Sequence, residues 1–181
     1  MNSPSHAIDF SRHVPEGDTH ERDVCTRCGF IHYVNPKIVT GSIVRYQERL
    51  LLCRRAIEPR IGFWTLPAGF MEVGETAEQA AMREAREEAN AAIAIDRLLA
   101  VYTIPRIAQV QIMYLAHLVD ANISPGLESL EVMLASWDDI PWDDIAFPSV
   151  RWALHHYRSI ENLNDFPPFT NPPGETGDPK P

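Results

Sequence analysis

The chain has 181 residues, a formal net charge of −9 and a sequence pI of about 5.2. That length supports one ordinary domain with a real core, and 45% hydrophobic with 23% charged residues is a globular rather than a disordered composition. The acidic balance excludes broad, sequence-independent nucleic-acid binding, which needs a Lys/Arg footprint, but admits a small anionic ligand held by a few local groups and a metal ion.

In chain order, residues 1–35 form a polar first zone with four of the seven histidines and one CxxC pair, Cys25 and Cys28, followed by Gly29. The start, "MNSPSHAIDF", has neither the basic segment nor the apolar core of a secretory signal. No apolar run in the chain reaches the roughly 18 residues of a membrane span. With three cysteines in all, the chain carries no disulfide framework, so a reducing, cytoplasmic setting without a membrane partner is expected.

Residues 36–162 carry the periodic signal. "KIVTGSIVRY" and "RLLLCRR" flank the short turn "QE" and predict a β-hairpin, with Cys53 as strand core. "IGFWTLPAGFMEVGE" is too rich in Gly and Pro to be one regular element. "TAEQAAMREAREEA" predicts a helix: Thr76 and Gln79 form a capping box, alanines fill the interior, and Asn90 suits a left-handed close. "AIAIDRLLAVYTI" and "QVQIMYLAHLVD" predict strands, and "FPSVRWALHHYRSIENL" a second helix with Val150, Leu154 and Tyr157 at helical spacing. The Pro-rich tail, residues 163–181, has little to bury and is expected to be disordered. Phe63, Trp64 and Phe70 read as packing residues; His117, His155 and His156 carry no assigned chemistry.

The stretch "REAREEAN" places Glu84, Glu87 and Glu88 on one helix face near its C-terminal end. Like charges at this spacing destabilise a helix by roughly 0.2–0.5 kcal/mol per pair. The negative end of the dipole adds about 0.3–1 kcal/mol per charge. Two readings remain: a solvated acidic face, or a site for a hard divalent cation, which takes carboxylate oxygens, water and substrate phosphate.

The stretch belongs to a longer pattern. From Gly69, "GFMEVGETAEQAAMREAREEANA" puts Glu75 after five intervening residues and Arg83 after seven more, then Glu84, Glu87 and Glu88. This resembles the Nudix box, departing from it at Ala85 and Ala91, where bulky apolar residues stand, and at Asn90, where Gly stands. The resemblance implies an α+β fold, a mixed β-sheet sandwiched between α-helices. It implies a hydrolase that cleaves the diphosphate linkage of a nucleoside diphosphate derivative with Mg²⁺ or Mn²⁺. Glu84, Glu87 and Glu88, with the carbonyl of Ala68, would be the metal ligands; Gly69, Glu75 and Arg83 would be structural. A homodimer is expected, and a catalytically silent nucleotide-sensing domain is the alternative.

"CTRCGFIHYVNPKIVTGSIV", "LLCRRAIEPRIGFWTLPAGF" and "DDIPWDDIAFPSV" are similar to a Nudix group with an N-terminal zinc ribbon that includes FAD and ADP-ribose hydrolases. By that resemblance, Glu131 or Glu128 would be a remote catalytic or substrate-facing acid, and Gln109 a substrate contact. Where relatives carry a Gly-Gln-x-Tyr stretch, this chain has Ala108, Gln109, Val110 and Gln111. NADH and capped dinucleotides are the remaining substrate expectations. Zn²⁺ in the ribbon would be held by Cys25, Cys28 and His6.

Overall fold

The computed structural model describes residues 9–161, 163 and 165–177. His6 lies outside them. The chain divides after Asn35 into two compact units.

The first unit is a three-stranded antiparallel sheet of β1 (Phe10–His13), β2 (Arg22–Cys25) and β3 (Ile31–His32), in that order. It has almost no core: Pro15 and Cys25 are its buried residues among those described.

The second unit is built on one mixed sheet. Its strands are β4 (Lys37–Tyr46), β5 (Arg49–Arg55), β6 (Trp64–Thr65), β7 (Ala68–Phe70), β8 (Ile93–Ile104), β9 (Gln109–Leu118) and β10 (Ser129–Ala135). The order is β10-β5-β4-β9-β8, with β4 and β9 parallel and the other pairs antiparallel. The predicted hairpin is present only at its turn, where Arg45 faces Leu50 and Tyr46 faces Arg49. Beyond that β4 and β5 separate, and the Gly/Pro-rich segment fills the gap: β6 pairs with β5 and β7 with β4.

Two helices, α1 (Ala77–Ala89) and α2 (Pro148–Ile160), cover the sheet. Strand alternation sends Ile43, Leu50, Leu52, Met113 and Leu115 into one core with α2's Trp152, Ala153 and Leu154. Val44, Leu51, Cys53, Ala116 and Leu118 go into another with α1's Ala85 and Ala89. Burial on both faces is why these strands read as continuous apolar runs. The α+β class and the sandwiched sheet expected from the sequence are what the structure has.

The C-terminal tail corrects an expectation. Residues 165–177 are docked rather than disordered. β8 is the edge of the sheet, and Phe169 pairs with that edge, donating its N–H to Leu99 O (2.9 Å) and accepting from Val101 N–H (2.9 Å). Phe166 and Phe169 pack on the α2 core, and the Phe169 ring stacks on His156 at 4.1 Å. Prolines make the tail a poor helix or inner strand, yet they leave enough donors and two aromatic rings to cover an open edge.

Candidate active site

Helix α1 begins and ends on local chemistry. The Thr76 hydroxyl accepts from Gln79 N–H (3.2 Å) while the Gln79 side chain accepts from Thr76 N–H (2.8 Å). Asn90 closes the helix at φ 48°, in the left-handed region. Its side-chain amide also donates to Ser124 O (3.1 Å) and Pro125 O (3.2 Å), which ties the loop after β9 to the helix end.

The helix seats on the sheet through fully buried Ala81, Ala85 and Ala89, which turns its glutamates toward the loop before it. Glu84 and Glu88 are 7% and 5% exposed, whereas the Glu87 side chain is 56% exposed. Arg83 knits this group together. Its Nε and Nη2 donate to the two oxygens of Glu75 (3.1 and 2.8 Å), its Nη1 to Glu84 (2.7 Å) and Glu87 (2.8 Å), and its Nη2 also to Phe70 O (2.9 Å). A forked pair of this kind is geometrically specific, and it fixes loop 70–75 against the helix.

Two glycines let backbone approach the carboxylates. A Cβ on Gly69 would lie 2.4 Å from the carboxyl carbon and both oxygens of Glu84. A Cβ on Gly126 would lie 1.7 Å from Glu87 O, and the Gly126 N–H donates to Glu88 O at 2.9 Å. Gly126 thus lays the "SPGLE" loop across the end of α1, two residues before Glu128. Sequence reasoning missed Gly126; the signal was a Gly beside a Pro in a loop ending in acids.

Burial, and next the charge of Glu84, pushes Glu88 up to about 8; Arg55 and the Ala68 N–H oppose the rise. Burial likewise raises Glu84, against the pull of Arg83. Glu88 Oε2 is buried without a hydrogen-bond partner. An unpaired buried carboxylate oxygen beside a second carboxylate is costly unless a cation completes it. The chemistry of the donor set, two buried carboxylates, the exposed Glu87 and the adjoining Ala68 backbone, therefore fits a hard divalent ion. As they stand, no three His, Cys, Asp or Glu side chains among the described residues are gathered around one point, and Arg83 Nη1 holds both Glu84 and Glu87.

Glu84, Glu87 and Ala68 border a cleft of about 760 Å³, lined also by Gly69, Arg55, Gln109 and Glu128 among others. The two candidate remote acids are held apart: Glu128 precedes β10, and Glu131 lies within it, past a register shift between Ser129 and Glu131. Ser129 faces Arg55 and Glu131 faces Arg54 across β10 and β5, and Arg54 and Arg55 point to opposite faces. Arg55 lines the cleft, and Glu128 lies near enough to raise Glu84 and Glu88 by its charge. Glu131 instead pairs with Arg54 (3.5 Å), outside the cleft lining. Of the two acids, Glu128 is the one that borders the cleft. Gln109 faces the cleft, with Gln111 Nε2 donating to its Oε1 (3.2 Å). Arg55, not singled out from the sequence, donates to Pro59 O (2.8 Å) and lies over the Phe147 ring at 5.1 Å. Trp64 is core, while Phe63 and Phe70 lie beneath Arg60 and Lys37.

In the first unit, Cys25 O accepts from Gly29 N–H (2.9 Å), with Gly29 at φ +75°. Hydrogen bonds from the Arg27 and Cys28 backbone N–H groups lower the Cys25 pKa, favouring the thiolate that metals bind.

A family model described as the NUDIX domain matches residues 36–163. The chain belongs to the Nudix family. A second model, described as Nudix N-terminal and named for a zinc ribbon, matches residues 9–34. The crystal structure of a NUDIX hydrolase from Nitrosomonas europaea superposes with a TM-score of 0.87 at 43% identity, covering 93% of this chain and 96% of that one. Among curated relatives, an ADP-ribose pyrophosphatase of Methanocaldococcus jannaschii is 28% identical over 113 residues, 60% of this chain and 67% of its own length. The NAD-capped RNA hydrolase NudC of Haemophilus influenzae is 42% identical over 73 residues, 38% of this chain and 27% of that protein. The Nudix box of this chain is thus Gly69 to Ala91, a hydrolase motif on a Nudix fold. No helix among the described residues is long and apolar enough to cross a membrane.

Proposed function

We propose that this Nudix hydrolase cleaves the diphosphate linkage of a small nucleoside diphosphate derivative, ADP-ribose foremost and FAD next, with Mg²⁺ or Mn²⁺. The observation that carries the reading is the buried Glu84–Glu88 pair: Glu88 keeps an unpartnered buried oxygen, and Glu84 lines a cleft of ligand size. A nucleotide-sensing domain without catalysis has no use for so costly a pair. The similarity to an ADP-ribose pyrophosphatase supports the choice of substrate.

Glu84, Glu87, Glu88 and the Ala68 carbonyl would hold the metal, which when bound supplies charge neutralisation of the diphosphate and acidifies water. The chain's own residues do the rest. Arg83 and Glu75 hold the helix and its approach loop in register. Glu128, which lines the cleft two residues after Gly126, would accept a proton from attacking water. Arg55 offers its guanidinium to a phosphate oxygen, and Gln109 contacts the sugar or base. Cys25 and Cys28 would contribute two thiolates to Zn²⁺ in the ribbon.

The test is Mg²⁺-dependent hydrolysis of ADP-ribose, FAD, NADH and capped dinucleotides, with products separated by chromatography. ADP-ribose is expected to yield AMP and ribose 5-phosphate with the highest kcat/KM. No metal-dependent turnover of any of the four would overturn the proposal.

A further inference from the structure

The docked tail reaches the cleft. After Phe169 it continues along the outer edge of β8: Asn171 Oδ1 accepts from Thr103 N–H (2.9 Å), and its Nδ2 donates to Thr103 O (2.8 Å) and Glu175 O (3.1 Å). The side chain thereby replaces a strand partner at the last turn before Ile104. Leu99, Val101 and Thr103 are thus all engaged on the side of β8 that faces away from β9. Six residues further on, Gly177 packs on Ile104, and both line the 760 Å³ cleft. The contact is close: a Cβ on Gly177 would lie 2.4 Å from Ile104 Cδ1, 3.1 Å from its Cγ2 and 3.4 Å from its Cγ1.

The cleft lining is of two kinds. Glu84, Glu87, Glu128 and Arg55 offer charge, suited to metal and diphosphate, while Ile104, Ile107 and Met113 offer apolar surface. A nucleobase needs the second kind, because its flat faces gain by leaving water and its edge needs few polar partners. Ile104 is 3% exposed, so its rotamer is fixed by what packs behind it, and part of that backing is the tail.

We infer that the C-terminal strap, residues 165–177, is a specificity element of the hydrolase: by seating Gly177 on Ile104 it sets the depth of the apolar end of the cleft, where the nucleobase of the substrate lies. This rests on the proposed diphosphate hydrolysis and adds which segment selects the substrate. Gly177 and Asn171 are positioning residues; neither touches the reacting atoms.

The experiment is a size exchange in the full chain, read as kcat and KM with ADP-ribose and Mg²⁺. Gly177→Ala drives Ile104 Cδ1 into the cleft, and KM is expected to rise about tenfold, the scale of one methyl group in a pocket, with kcat unchanged. Gly177→Ala/Ile104→Val removes that Cδ1 and should restore most of the KM, although it shares the strained backbone of the single variant, where φ is +81°. Asn171→Ala, which releases the strap without adding bulk, should also raise KM at constant kcat, and it decides the matter if Gly177→Ala does not fold. Melting curves accompany each variant, because a strap that only stabilises would lower the melting temperature and leave KM alone. Wild-type hydrolysis with KM unmoved in the soluble variants overturns the inference alone; a wild-type protein that hydrolyses none of the four substrates overturns the proposed function and this inference with it.

Discussion

The two units hold their candidate ligands in opposite ways. In the larger one, two apolar cores and a docked tail supply the burial, and two carboxylates, Glu84 and Glu88, are buried with them, one Glu88 oxygen unpartnered. In the smaller one, every residue of β1 is exposed and Cys25 is one of two buried residues among those described. A sheet of that size has too little apolar surface to hold itself by burial, so bound metal would supply folding free energy. The same class of event, metal binding, would therefore relieve strain in one unit and create order in the other. Loss of metal should separate them: the larger unit keeps its fold and loses activity, while the smaller loses its fold and leaves activity in place.

The largest expected effect is on catalysis. Glu87→Gln and Glu88→Gln should each cut Mg²⁺-dependent hydrolysis by at least about a hundredfold, since each removes a ligand whose metal is worth several kcal/mol in the transition state. Near-normal rates at saturating Mg²⁺ would end the metal assignment.

Next comes the choice between acids. Glu128→Gln should lower kcat by roughly a hundredfold, the low end of the range for a lost general base, whereas Glu131→Gln should stay within about threefold. The reverse order would mean that loop 124–128 moves on binding substrate.

Stability gives an effect of opposite sign in the larger unit. The folded Glu88 has its pKa at about 8 against an ordinary 4.5, so in chelator its contribution is fully favourable below pH 4.5 and is lost as pH rises to 8. Glu88→Gln removes that loss. Its melting temperature in chelator should exceed wild type by about 4 °C or more at pH 8, and the gap should close toward pH 5. A destabilised Glu88→Gln at pH 8 would show that the carboxylate is satisfied without metal. Arg83→Ala acts the other way: it strands Glu75 and Glu84 and should cost roughly 2 kcal/mol, together with activity. Full stability with reduced activity would place Arg83 at the substrate instead.

The smallest effect on turnover belongs to the ribbon. Cys25→Ser should remove zinc from protein purified without chelator, as read by native mass spectrometry, while changing kcat by less than about twofold, because the carboxylate helix and both cores lie after residue 36. A wild-type protein without zinc would end the claim that metal orders the smaller unit.

Much of this was legible from local chemistry. The box spacing located α1, its capping box and its left-handed close at Asn90, because caps and helical periodicity depend on residues within a few positions of each other. The apolar runs predicted buried strands for the same reason. What the sequence could not supply was anything set by contacts distant along the chain. The ranking of Glu128 over Glu131 depends on which face of β10 meets Arg54. The roles of Gly126 and Arg55 depend on a loop crossing the end of α1 and a side chain reaching the cleft. The tail was misread because its composition has little to bury by itself; it is ordered by an edge strand some 70 residues earlier, whose free backbone groups and apolar neighbours supply what the segment lacks. The sequence by itself determined the family, the helix and the carboxylate set, since those are short-range patterns of residue type. Only the tertiary structure decided which acids share the cleft and which segment walls it, because both follow from strand register and from burial against residues that no local pattern connects.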